Sequence, residues 1–141
     1  MSEENKELVR RFVERFNQQD QDVFEDLLAP DFVDLTPGPG AEPTREGWKQ
    51  HVSMGEWSAF PDLHFEIEEQ IAEGDRVVNR LVARGTHTSE FMGIPATGKE
   101  VTGDNVTIFR IAGGKIIERW TIFDALGVMV QLGVVPPPGE A

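Results

Sequence analysis

Asp124, His87 and Asp34 are the side chains of this sequence best suited to moving a proton. Asp124 stands between ERWTIF and ALGVMVQLG, where its carboxylate either reaches a pocket rim or caps the short helix that follows. His87, in Gly85-Thr86-His87, is either a general base or a hydrogen-bonded anchor for the next loop. Asp34, just before Thr36-Pro37, either opens into a pocket or forms a turn. Asn105, Thr107, Arg119 and Thr121 occupy matching alternating positions of two strand-like stretches, so they can polarise one substrate from one face. Trp48, Trp57, Phe60, Phe109 and Trp120 line a ligand pocket or fill the core. Arg80 and Arg84 share one strand face, where internal ion pairs are expected ahead of an anionic ligand. His51, His64 and His87 lack any metal-ligand spacing and cysteine is absent, so no metal site is expected. There is no Gly-rich phosphate loop and no GxSxG elbow.

These residues need a sheet to bring them together. Val101–Ile111 and Ile116–Phe123 are rich in β-branched and aromatic residues, and Gly113-Gly114 between them supplies the positive φ angles of a tight hairpin. Leu63–Glu68 alternates apolar and polar, Glu73–Arg76 turns the chain, and Val77–His87 makes another long strand. Ahead of the sheet, Glu3–Gln18 carries Leu8, Val9, Phe12, Val13 and Phe16 at helical spacing. Gln21–Leu28 predicts a second short helix stopped by Pro30, and Asp31–Leu35 a short strand. PGPGAEP (37–43) is a loop, and Thr44 caps a helix running to about Ser58 with Trp48, His51, Val52 and Trp57 along one face. Helices first and antiparallel strands after predict an α+β fold, a strongly curved sheet wrapped around its helices.

The chain of 141 residues is read as one domain, 1–141, long enough to bury a core without staples. A formal net charge of -12, from 25 acidic and 13 basic residues, disfavours nucleic acid and anionic membrane as partners. The acidic, polar start MSEENKE, the absence of a long apolar run and the absence of cysteine fit a cytoplasmic protein.

The order of elements, with GTHTSEFMGIPATGKEV (85–101) and IAGGKIIERWTIFDALGVMVQLG (111–133), resembles the SnoaL-like polyketide (ester) cyclases. That resemblance implies the cone-shaped α+β barrel shared with ketosteroid isomerase, scytalone dehydratase and nuclear transport factor two. It also implies an enclosed apolar pocket and a homodimer. Members of that family close a ring by intramolecular aldol condensation of a polyketide ester without metal or organic cofactor, using an Asp assisted by a His. The resemblance puts that Asp at Thr121 and that His at Thr107. A threonine hydroxyl donates a hydrogen bond to an enolate but is no base at neutral pH.

The expected function is therefore acid/base chemistry on an apolar carbonyl compound, polyketide-like in character. Asp124 or His87 is the expected base, and Thr107, Thr121, Asn105 and Arg119 hold the substrate. The alternatives are a non-catalytic module binding a small apolar ligand, or a hydratase or isomerase on the same fold.

Overall fold

Alternation of apolar residues produces five strands in this protein, and the amphipathic segments close over one face of the sheet they form. The computed structural model describes residues 2–139. In chain order the elements are α1 (Ser2–Asn17), α2 (Val23–Leu27), β1 (Leu28–Asp34) and α3 (Arg45–His51). A π-helical turn (Val52–Glu56) and the single turn α4 (Trp57–Ala59) come next, then β2 (His64–Glu73), β3 (Arg76–Thr86), β4 (Glu100–Ala112), β5 (Lys115–Phe123) and α5 (Ala125–Leu132). The sheet order is β1-β5-β4-β3-β2, an open, curved sheet in an α+β fold.

Strands β2 to β5 form the expected antiparallel meander. The Gly113-Gly114 turn has φ of 58° and 74°, values a Cβ-bearing residue rarely adopts, which is why glycine occupies both positions. The first strand departs from expectation. It starts at Leu28, carries Pro30 within it and pairs parallel with β5 instead of antiparallel. Proline is tolerated there because β1 is the sheet edge, where a missing N–H breaks no interior ladder. A register shift between Arg110 and Ile111 opposite Ile116–Glu118 alters the alternation on β5. The extra residue turns Ile116 inward, fully buried, while Arg119, Thr121 and Phe123 still face the cavity.

The main core joins Leu8, Val9, Phe12 and Phe16 of α1 to Val77, Phe109, Ile111 and Ile116 of the sheet, with Phe24, Phe32, Trp48 and Trp57 between them. Each such buried side chain contributes about 1.5–3 kcal/mol. The rings interlock: Phe12 and Phe32 both stack on Trp48, at 5.3 and 5.6 Å between centroids. A smaller cluster of Ala59, Phe60, Val101, Val128 and Leu132 closes the other end.

The predicted helix from Thr44 to Ser58 is one run of three parts. Thr44 caps it by accepting the Gly47 N–H at 3.1 Å, as expected. The chain then widens into the π-turn, whose i→i+5 pattern shows in the Trp57 N–H bonded to Val52 O. Arg80 and Arg84 pair with Glu69 and Glu66 across the outer edge, at 3.3 and 3.5 Å. No helix among the described residues is long and apolar enough to cross a membrane.

Candidate functional site

Between the inner face of the sheet and the helices lies a cavity of ≈ 630 Å³. Its walls are mostly apolar: Phe12 and Phe16 from α1, Trp48 from α3, Phe60 after α4, Leu81 on β3, Phe109 on β4 and Phe123 on β5. Met54 and Met92 also line it, and both are more than half exposed to solvent. Inward-facing polar groups are few, which is the usual character of a small-molecule site. They include Asn105 and Thr107 on β4, Arg119 and Thr121 on β5, and His51 and Glu56 at either end of the π-turn, with Thr36, Arg84 and Glu90 also on the wall.

Arg119 is held from three sides. Its guanidinium lies 4.3 Å over the Trp48 ring, donates to Asp34 Oδ2 at 2.8 Å, and approaches Thr36 O at 3.5 Å. The Asp34 side chain is 1% exposed, and its other oxygen accepts the Thr36 N–H at 3.0 Å. Asp34 therefore does not open into the cavity. It is both the turn former and the buried counter-ion that orients Arg119.

Glu56 is a carboxyl on the cavity wall whose proton affinity its surroundings alter. It is half-buried, lines the cavity, and its carboxyl pKa is raised above the ordinary carboxylate range. Burial is the main cause, and the negative charge of Asp34 adds to it; Arg119 and His51 pull the other way without cancelling it. A carboxyl whose pKa burial raises is a stronger base than one in water, and so better suited to take a proton and return it. The π-turn is what aims it. Residues five apart fall on different faces of a regular α-helix, yet His51 and Glu56 reach the same cavity. Gly38 makes room for the imidazole, since a Cβ there would stand 2.2 Å from His51 Cε1.

The two threonines differ in polarity. The Thr121 hydroxyl donates to Val106 O at 3.2 Å, which leaves it lone pairs to offer the cavity. Thr107 Oγ1 accepts from Asn79 Nδ2 at 3.1 Å, which leaves it a proton to offer.

Of the residues named from sequence, Asn105, Thr107, Arg119, Thr121, Trp48, Phe60 and Phe109 line the cavity. Five do not: Asp34, Trp57, His87, Trp120 and Asp124; Trp120 is neither pocket wall nor core but 37% exposed on the outer face of the sheet. Trp57 is core, 6% exposed and edge-on to Phe16. Asp124 is exposed and caps α5, accepting the Gly127 N–H at 2.8 Å, so the helix-cap alternative describes it. His87 is fully buried, and its Nδ1 accepts the Thr97 N–H at 3.2 Å and lies 3.0 Å from Thr97 Oγ1. It anchors the loop after β3, beside Phe60. The helical reading put His51 on the face of Trp48 without giving it a role, and it missed Glu56, because the helical period assigns a residue five further on to a different face.

Comparisons with known proteins agree with this architecture. The family model described as SnoaL-like polyketide cyclase matches residues 6–132. The chain is 29% identical to the aklanonic acid methyl ester cyclase DnrD of Streptomyces peucetius, over 95% of this chain and 94% of that one. It is 28% identical to the nogalonic acid methyl ester cyclase of Streptomyces nogalater, over 91% and 96%. Among solved structures it resembles IdmH of Streptomyces antibioticus, at TM-score 0.82 and 35% identity over 92% of this chain and 99% of that one. TsrD of Streptomyces laurentii gives TM-score 0.85 at 27% identity, over 96% and 98%.

Proposed function

The chain belongs to the SnoaL-like polyketide cyclase family, and from that premise we propose that its cavity closes a ring in an apolar, polyketide-like carbonyl compound by cofactor-independent acid/base chemistry, with Glu56 as the base. One observation carries the assignment: Glu56 is a carboxyl in an apolar cavity whose pKa burial has raised. The Glu56 carboxylate removes a proton from a carbon next to a carbonyl, and the released electron pair forms the enolate. Thr107 donates its hydroxyl to the enolate oxygen, and Asn105 adds a second amide donor. The carbon then attacks a second carbonyl of the same molecule, one C–C bond forms, and the new alkoxide takes its proton back from Glu56. Arg119, immobilised by Asp34 and Trp48, holds the polar end of the substrate while the aromatic walls hold the rest.

The test is deuterium exchange at the α-carbon of 1-tetralone in heavy water, followed by NMR. Exchange that depends on the protein, rises with pH through the elevated ionisation of Glu56, and falls at least about a hundredfold in Glu56→Gln is expected. Exchange unchanged in Glu56→Gln removes Glu56 as base. Threonine at both positions where the resemblance puts the proton-moving pair favours one other reading, a binding module; ketone-induced thermal stabilisation with no exchange decides for it.

The proposal includes a homodimer. On the outer face of the sheet Ile71, Val78, Ile108 and Trp120 form an apolar rung across four paired strands, with Val106 and Ile122 beside it. Ile71, Trp120 and Ile122 are 58%, 37% and 58% exposed, and a second copy of the chain would cover them.

A further inference from the structure

A polar rung crosses the inner face of the same sheet. Gln70 on β2 pairs with Asn79 on β3, Asn79 with Thr107 on β4, and Thr107 with Thr121 on β5. From α1, Arg10 donates to Gln70 Oε1 at 2.8 Å. Gln70 Nε2 then donates to Asn79 Oδ1 at 3.0 Å, and Asn79 Nδ2 to Thr107 Oγ1 at 3.1 Å. Backbone carbonyls settle which way each amide points: Gln70 Nε2 also meets Lys6 O at 3.2 Å, and Asn79 Nδ2 meets Val77 O at 3.4 Å. Every donor therefore faces inward, starting from a cation and ending at the cavity.

We propose that Asn79, Gln70 and Arg10 are positioning residues that fix the Thr107 hydroxyl as a donor into the cavity and strengthen it toward an anionic oxygen. A hydroxyl whose lone pair is occupied turns its proton elsewhere, and cooperative polarisation along a buried chain makes that proton a better donor. The inner face is otherwise mainly apolar, with Val77, Leu81 and Phe109 flanking the rung, and Asn79 is fully buried. Polar groups in such a place cost stability unless every bond is made, and here each bond leads on to the next. The inference deepens the proposed reaction and rests on it only in that the anionic oxygen is taken to be an enolate.

The test reads donor strength without turnover. 2-Naphthol is titrated into the Glu56→Gln protein, and the ratio of bound anion to bound neutral form is measured by absorbance across pH. Thr107→Val is expected to lower that ratio about tenfold, the loss of one charge-assisted hydrogen bond. Asn79→Leu lowers it in the same direction, adds nothing in the double variant with Thr107→Val, and Thr107→Ser restores it. Should Asn79→Leu fail to fold, Gln70→Met and the exposed Arg10→Gln interrupt the same chain further out and give smaller losses of the same sign. A ratio that ignores Asn79, Gln70 and Arg10 while melting temperature falls overturns the relay, leaving these residues as mere ties between α1 and the sheet. A ratio in the Glu56→Gln protein no higher than in its Thr107→Val variant overturns it too. Naphthol ionisation that follows the relay without tetralone exchange sinks the aldol reading and keeps the relay; exchange that needs Glu56 while naphthol ignores Asn79 does the reverse.

Discussion

At the residue scale, three carboxylates of this chain have three different fates, and their surroundings decide which. Asp124 is wet and spends an oxygen on the Gly127 N–H. Asp34 is buried but neutralised by Arg119 at 2.8 Å. Glu56 faces an apolar cavity with no comparable compensation, so its proton is held more tightly than in water. Stability should register this. A carboxyl whose folded pKa lies above its unfolded value binds more protons folded than unfolded between the two values, so its contribution falls as pH rises through that window. Glu56→Gln is therefore expected to melt higher than the parent at pH 8, by roughly 3–5 °C for each kcal/mol of strain removed, with the gain vanishing near pH 4. Calorimetry at the two pH values checks it, and a gain of equal size at both would contradict the charge argument.

At the scale of elements, the π-turn and the α5 cap divide function from structure. The π-turn directs His51 and Glu56 to one cavity, a placement no regular helix of the same sequence would give. The α5 cap only starts a helix that ends in Gly133 at φ 82°. Asp124→Ala is expected to cost about 1 kcal/mol, the typical worth of an N-cap. It should leave the Glu56-dependent exchange rate at the parent level. Melting curves and tetralone exchange on one preparation separate the two effects, and lost exchange in a folded variant would return Asp124 to the list of acid/base candidates.

At the scale of the whole molecule, the sheet has two working faces carried by the same strands. Thr107 and Asn79 point in while Ile108 and Val78, their neighbours in sequence, point out. Adding a charge to the outer rung should split the proposed dimer without touching the cavity. Sedimentation is expected to show two chains for the parent and one for Trp120→Glu with Ile122→Lys, with cavity ligands still bound. Since each chain carries a formal net charge of -12, added salt should tighten the parent dimer. A parent that sediments as one chain at all salt concentrations refutes the homodimer.

Periodicity alone determined the α+β class, the four-strand meander with its Gly-Gly hairpin, the Thr44 cap and the amphipathic α1, because these follow from local alternation and local φ requirements. It also placed Asn105, Thr107, Arg119 and Thr121 on a common face, since pleating assigns faces by parity. Tertiary structure decided the rest. The parallel β1, beginning two residues before Pro30, depends on an edge that exists only once β5 is in place. The fates of Asp34, His87 and Asp124 depend on partners at Arg119, Thr97 and Gly127, two of them in other elements or loops. Glu56 became visible only when the helix widened beneath it and the sheet closed over it, because a raised pKa is a property of the surrounding protein and not of the residue.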